Sequence, residues 1–135
     1  MYLDIRWKQR FQNFEKALEK LNAAVIEIQK DDYKNEILQA GLIQIFEFTF
    51  ELAWKTLKDY LENEGFDVPT PKKTLRQAYQ SGIIEDGALW IRALDDRNKT
   101  SHLYNELIAK EVAVDIVEKY FPIIEKLFKK LKNEL

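Results

Sequence analysis

The 135-residue chain has no cysteine. That excludes disulfides, thiolate metal sites and a cysteine nucleophile, and it fits a reducing, cytoplasmic setting. There is one histidine and no Glu-x-x-His pair, so a histidine-based metal centre is not expected, nor any cofactor. None of the four glycines, Gly41, Gly65, Gly82 and Gly87, opens a P-loop or a dinucleotide-binding turn. None is followed by serine, so the glycine–serine loop of a nucleotidyltransferase active site is missing. Neither charge sign dominates: 21 basic against 23 acidic side chains leave a net charge of −2. Contact with nucleic acid would therefore have to come from a local patch or from a partner. The longest uncharged run, Ile37 to Phe46, is ten residues, where about 20 are needed to span a bilayer. Asp4 and Arg6 interrupt the N-terminus before a signal-peptide core can form, so no membrane association is expected.

What is present is apolar and helical in pattern. The content is 46% hydrophobic and 13% aromatic, enough to build a core, and the length suits a single domain over residues 1–135. From Trp7 the apolar positions Phe11, Phe14, Leu18, Leu21, Val25 and Ile28 follow at spacings of 4, 3, 4, 3, 4 and 3, one face of a long amphipathic helix. Asp31-Asp32 supplies a turn and an N-cap candidate. A second helix is expected from about Lys34 to Glu64, stopping at Gly65. It is apolar nearly all round, which places it at the centre of a bundle or at an oligomer interface.

Thr70-Pro71 reads as an N-cap followed by proline at the first helical position of a short helix, Pro71 to Gln80, ending at Ser81-Gly82. A fourth helix begins near Glu85-Asp86 and carries Leu89, Trp90, Ala93 and Leu94 before a polar stretch from Asp95 to His102. The last starts at about Asn105 and runs through Leu131, with Pro122 expected to kink it. No segment alternates with period two. The fold class is therefore all-α: an up-and-down bundle of about five helices, two of them long. The apolar faces of the first two helices exceed what one such bundle hides easily, which argues for a homodimer.

Two places concentrate polar chemistry. Glu47 and Glu51 lie one turn apart on the second helix with Lys55 a further turn on, either a salt-bridged stripe or the polar lining of a groove. The segment Arg97-Asn98-Lys99-Thr100-Ser101-His102-Leu103-Tyr104 gathers the only histidine, two cations, two hydroxyls and a tyrosine where the fourth helix gives way to the fifth. Histidine can take and give a proton near neutral pH. Arginine can hold a phosphate by two hydrogen bonds and stabilise charge that builds up on it. Together they suffice for metal-free RNA cleavage by attack of the ribose hydroxyl on the neighbouring phosphate. A polar interhelix turn with His102 as a capping group accounts for the same residues. On a continuous helix, positions five apart differ by about 140° and about 7.5 Å, so Arg97 and His102 would not share a face. Either the helix ends between them or a second protomer completes the site. Asp95 and Asp96 could steady the guanidinium. Lys72, Lys73, Arg76, Arg92 and Lys99 are the other basic groups able to track an RNA backbone.

The pattern Arg97-x4-His102-x-Tyr104, preceded by the run Phe46-Glu47-Phe48-Thr49-Phe50-Glu51-Leu52-Ala53-Trp54-Lys55-Thr56-Leu57-Lys58-Asp59-Tyr60, resembles the HEPN superfamily. More narrowly, it resembles the nucleotidyltransferase substrate-binding family, whose members include HepT-like toxins of toxin–antitoxin pairs. The resemblance implies a homodimeric helical bundle paired with a small, antitoxin-like nucleotidyltransferase. It implies that Arg97 binds or polarises the scissile phosphate of RNA, and that His102 acts as acid or base in a ribonuclease site shared between protomers. Tyr104 would be the hydroxyl that the partner modifies with AMP. Asn98, Lys99, Ser101, Glu47 and Glu51 would support the site. The family's older name implies instead a non-catalytic subunit that presents a substrate to the nucleotidyltransferase.

Overall fold

Seven apolar residues at heptad spacing make the first helix, and in the computed structural model, which describes residues 2–99 and 106–135, they all turn inward. Helix α1 spans Tyr2–Lys30. Trp7, Phe11, Phe14, Leu18, Leu21, Val25 and Ile28 are buried, mainly against α2, Glu36–Asn63. Helix α2 also touches every later helix, the central position that its apolar circumference demands. Each large side chain so buried contributes roughly 1.5–3 kcal/mol. The heptad face of α1 is thus consumed within one chain and offers nothing to a dimer, contrary to expectation. The large apolar side chains that remain exposed include Ile37 and Phe48 on α2 and Leu107 and Ile108 in the last helical segment.

Local chemistry sets the helix ends. The N-cap of α2 is Asn35, not the Asp31-Asp32 pair. Its side chain accepts hydrogen bonds from the backbone N–H groups of Ile37 and Leu38. Asp31 supports the cap by accepting the Asn35 N–H at 2.5 Å. At the other end Gly65 takes φ +97°, and the Phe66 N–H reaches back to the Leu61 carbonyl at 3.0 Å, closing the helix with a left-handed residue. Helix α3, Pro71–Gln80, starts as its sequence predicts, with the Thr70 hydroxyl accepting the Lys73 N–H at 3.2 Å. The fully buried Thr74 hydroxyl donates to the carbonyls of Thr70, at 2.8 Å, and Val68, at 3.3 Å. These bonds fix the approach of the chain to α3.

Helix α4, Gly87–Lys99, absorbs the first half of the expected polar stretch, so Asp95 to Lys99 are helical. The final segment runs as α5, Glu106–Asp115, a π-helical turn, Ile116–Tyr120, and α6, Phe121–Lys132. The expected disturbance at Pro122 takes the form of this wide turn. The Phe121 N–H bonds to the Ile116 carbonyl, five residues back, and Pro122 then sits in the first turn of α6, where its missing N–H costs little. Aromatic pairs lock the layers: Phe11 on Phe128 at 4.9 Å joins α1 to α6, and Phe50 against Trp90 at 5.7 Å joins α2 to α4. Among the described residues there is no strand.

Candidate functional site

Arg97 lies in the last turn of α4, together with Lys99, where the negative end of the helix dipole favours cations. Its guanidinium Nη2 is 3.2 Å from Oε2 of Glu51 on α2, and both side chains are about one-third exposed. Glu51 is the hub of the arrangement. Its Oε2 also accepts the indole Nε1–H of Trp54 at 3.1 Å, and its Oε1 pairs with Lys55 Nζ at 3.1 Å. Burial pushes the Glu51 carboxyl up. Hydrogen bonds from Trp54 and Lys55, with the charges of Lys55 and Arg97, outweigh it and hold the group below the ordinary carboxylate value. The stabilisation linked to this ionisation is complete above the unfolded pKa of about 4.3 and is lost as pH falls through the lower folded value. At neutral pH Glu51 is therefore charged and aims the guanidinium.

The two readings of the Glu47–Glu51–Lys55 stripe divide between its members. Glu51 and Lys55 form the ion pair, while Glu51 also lines a groove of about 560 Å³ with Trp54, Leu94, Arg97 and Asn98. The start of α3, at Thr70, Pro71 and Lys72, completes the lining. Glu47 is half-buried, outside this lining, and makes no hydrogen bond or ion pair with another described residue. Lys99 is exposed. Ser101, His102 and Tyr104 lie outside the described residues.

Asp96 does not steady Arg97 as expected. Its carboxylate accepts the hydroxyl of Tyr120, which the π turn delivers to it, while Asp95 is exposed. Burial, the hydrogen bond to Asp96 and the Asp96 charge push the Tyr120 phenol well above its ordinary pKa, so it stays a neutral donor. The last turn of α4 is consequently gripped at consecutive residues, Asp96 by Tyr120 and Arg97 by Glu51. Two features go beyond the sequence reading. Trp54 as a donor to Glu51 is open to such a reading, since positions i and i+3 adjoin on a helix. The approach of α3 to α4 has no local signal. Among the described residues no group of three or more carboxylate or histidine side chains is placed to hold a metal ion, and no described helix is long and apolar enough to cross a membrane. The chemistry on display is a positioned guanidinium beside an open, partly cationic groove, suited to an anion such as a phosphodiester.

Known proteins share this framework. Residues 9–133 match the family described as nucleotidyltransferase substrate binding protein like. Over 86 residues the chain is 36% identical to a Haemophilus influenzae protein named probable ribonuclease HepT; the match covers 60% of this chain and 59% of that relative, less than two-thirds of its length. A crystal structure from Thermus thermophilus superposes with a TM-score of 0.75 at 32% identity, over 88% of this chain and 98% of the other. A Haemophilus influenzae structure, described as revealing the fold of a substrate-binding domain of a nucleotidyltransferase, gives a TM-score of 0.78 at 28% identity, over 90% and 98%.

Proposed function

Because the chain belongs to the nucleotidyltransferase substrate binding protein-like family, we propose that it is the HEPN-type partner of a small nucleotidyltransferase and a metal-independent ribonuclease of the toxin–antitoxin kind. The observation that carries this reading is the Arg97 guanidinium, aimed by Glu51 into a groove and placed five residues before the only histidine. Arg97 holds the scissile phosphate. His102 takes the proton of the ribose 2′-hydroxyl as that oxygen attacks phosphorus, or returns a proton to the 5′-oxygen as its bond to phosphorus breaks. Two copies of His102, one from each protomer, can divide these tasks, which is the chemical motive for a homodimer. Exposed Phe48, Leu107 and Ile108 supply apolar surface for such pairing. Light scattering is expected to report about 32 kDa, twice the 16.1 kDa chain; a monomer at micromolar concentration would remove the shared site.

Tyr104 is the proposed acceptor of AMP from the partner enzyme. The added phosphate would compete with RNA for the Arg97 charge. Wild-type protein is expected to cleave RNA in the presence of chelator, and His102→Ala to abolish cleavage while the fold is retained. Incubation with ATP, magnesium and the partner nucleotidyltransferase is expected to add the mass of AMP to wild type but not to Tyr104→Phe. The family description and the solved substrate-binding domain favour a second reading, a non-catalytic subunit that presents a substrate. It expects tight partner binding and no cleavage at any pH, and that pair of results would replace the ribonuclease reading.

A further inference from the structure

Five basic side chains stand out as able to follow an RNA backbone, and the structure separates them. Arg92 is engaged by Asp115 at 2.7 Å. Arg76 lines a different hollow, with Tyr79 and Ile91. Lys73 and Lys99 are exposed but outside the groove that holds Arg97. Lys72 alone of the five shares that groove, and it forms no ion pair with another described residue. We infer that the groove between the start of α3 and the last turn of α4 seats the nucleotide adjoining the bond that is cut, with Lys72 binding its phosphate. The inference rests on the ribonuclease reading above and adds to it the path of the substrate strand.

Three properties support it. The lining carries two cations, Lys72 and Arg97, against one carboxylate, Glu51, in a chain of net charge −2. The Glu51 charge is itself answered by Lys55 and Arg97, so the groove attracts an anion although the protein as a whole does not. The walls match the rest of a nucleotide: Pro71 and Leu94 give apolar surface to a sugar or base, and Asn98 adds an amide for its polar edge. The Lys72 backbone is also held in place. It follows the capped Thr70 and Pro71, and the buried Thr74 hydroxyl ties the same turn to the Val68 and Thr70 carbonyls. A phosphate that meets Lys72 therefore meets a charge on a fixed support, in the same groove as the guanidinium that Glu51 aims.

The test is binding of a single-stranded oligodeoxynucleotide, which lacks the 2′-hydroxyl and so is not cut by the proposed chemistry. The expected result is that Lys72→Glu weakens binding about tenfold at low salt and lowers the slope of log affinity against log salt by about 0.7, the share of one single-strand phosphate contact. Arg76→Glu makes the same change of charge one turn along the same helix and is expected to cost much less. Equal losses in the two variants, an unchanged Lys72→Glu affinity, or no binding by wild type would each overturn the inference. The ribonuclease reading is judged separately, by cleavage of RNA by wild type and His102→Ala, so failure of the groove assignment is distinguishable from failure of that reading.

Discussion

Arg97→Ala is expected to slow RNA cleavage by about a hundred- to a thousandfold, the usual loss when a preorganised donor to developing charge is removed. Single-turnover rates measure it directly. Stability should change little, because the Arg97 side chain is about one-third exposed and pairs with a carboxylate that keeps Trp54 and Lys55 as partners. Glu51→Gln separates aiming from charge. The amide oxygen can still accept the Trp54 indole N–H, so the local packing survives, but the ionic hold on Arg97 is gone. A smaller loss, about tenfold, is expected, carried by slower chemistry more than by weaker binding. Arg97→Ala with more than half of the wild-type rate would remove the guanidinium from the mechanism.

The largest stability effect is expected at Phe50. Its ring is fully buried on α2, 5.8 Å from Phe46 and 5.7 Å from Trp90. Phe50→Ala leaves a cavity at the only aromatic pair recorded between α2 and α4 among the described residues, at a cost of about 3–5 kcal/mol. Chemical denaturation should show a lower midpoint with an unchanged slope. Ile37→Ala, at a side chain 81% exposed, is expected to stay within about 0.5 kcal/mol. A loss under about 1 kcal/mol for Phe50→Ala would mean that α4 closes onto the gap, and Arg97 would then shift with it.

The helices are legible because their signals are local. The heptad of α1, the Thr70-Pro71 start of α3 and the stop at Gly65 all depend on residues a few positions apart, and each has its expected place. Asn35 does not stand out as a cap because Asp31 and Asp32 are equally good capping residues by type. Only the left-handed backbone at Asp32, φ +54°, and Tyr33, φ +60°, moves the helix start on to Glu36. At the site, sequence names Arg97 and Glu51 but assigns the guanidinium to Asp95 and Asp96, its chain neighbours. Adjacent residues on a helix point about 100° apart, whereas a carboxylate on a packed neighbouring helix can face the group squarely. Tertiary pairing of this kind leaves no trace in spacing, and neither does the meeting of α3 with α4 that makes the groove.

The π turn before Pro122 does leave a trace, in arithmetic of rotation. Val112, Ile116, Tyr120 and Ile124 are all buried and lie at three successive spacings of four. On an α-helix each spacing of four overshoots a full turn by about 40°, so the stripe would wander about 120° from Val112 by Ile124. The wide turn takes up one residue more than an α-helical turn and cancels much of that drift. It works as a built-in insertion that brings α5 and α6 back into phase. A proline that has no N–H to offer the Glu118 carbonyl favours the wide turn over an α-helical one.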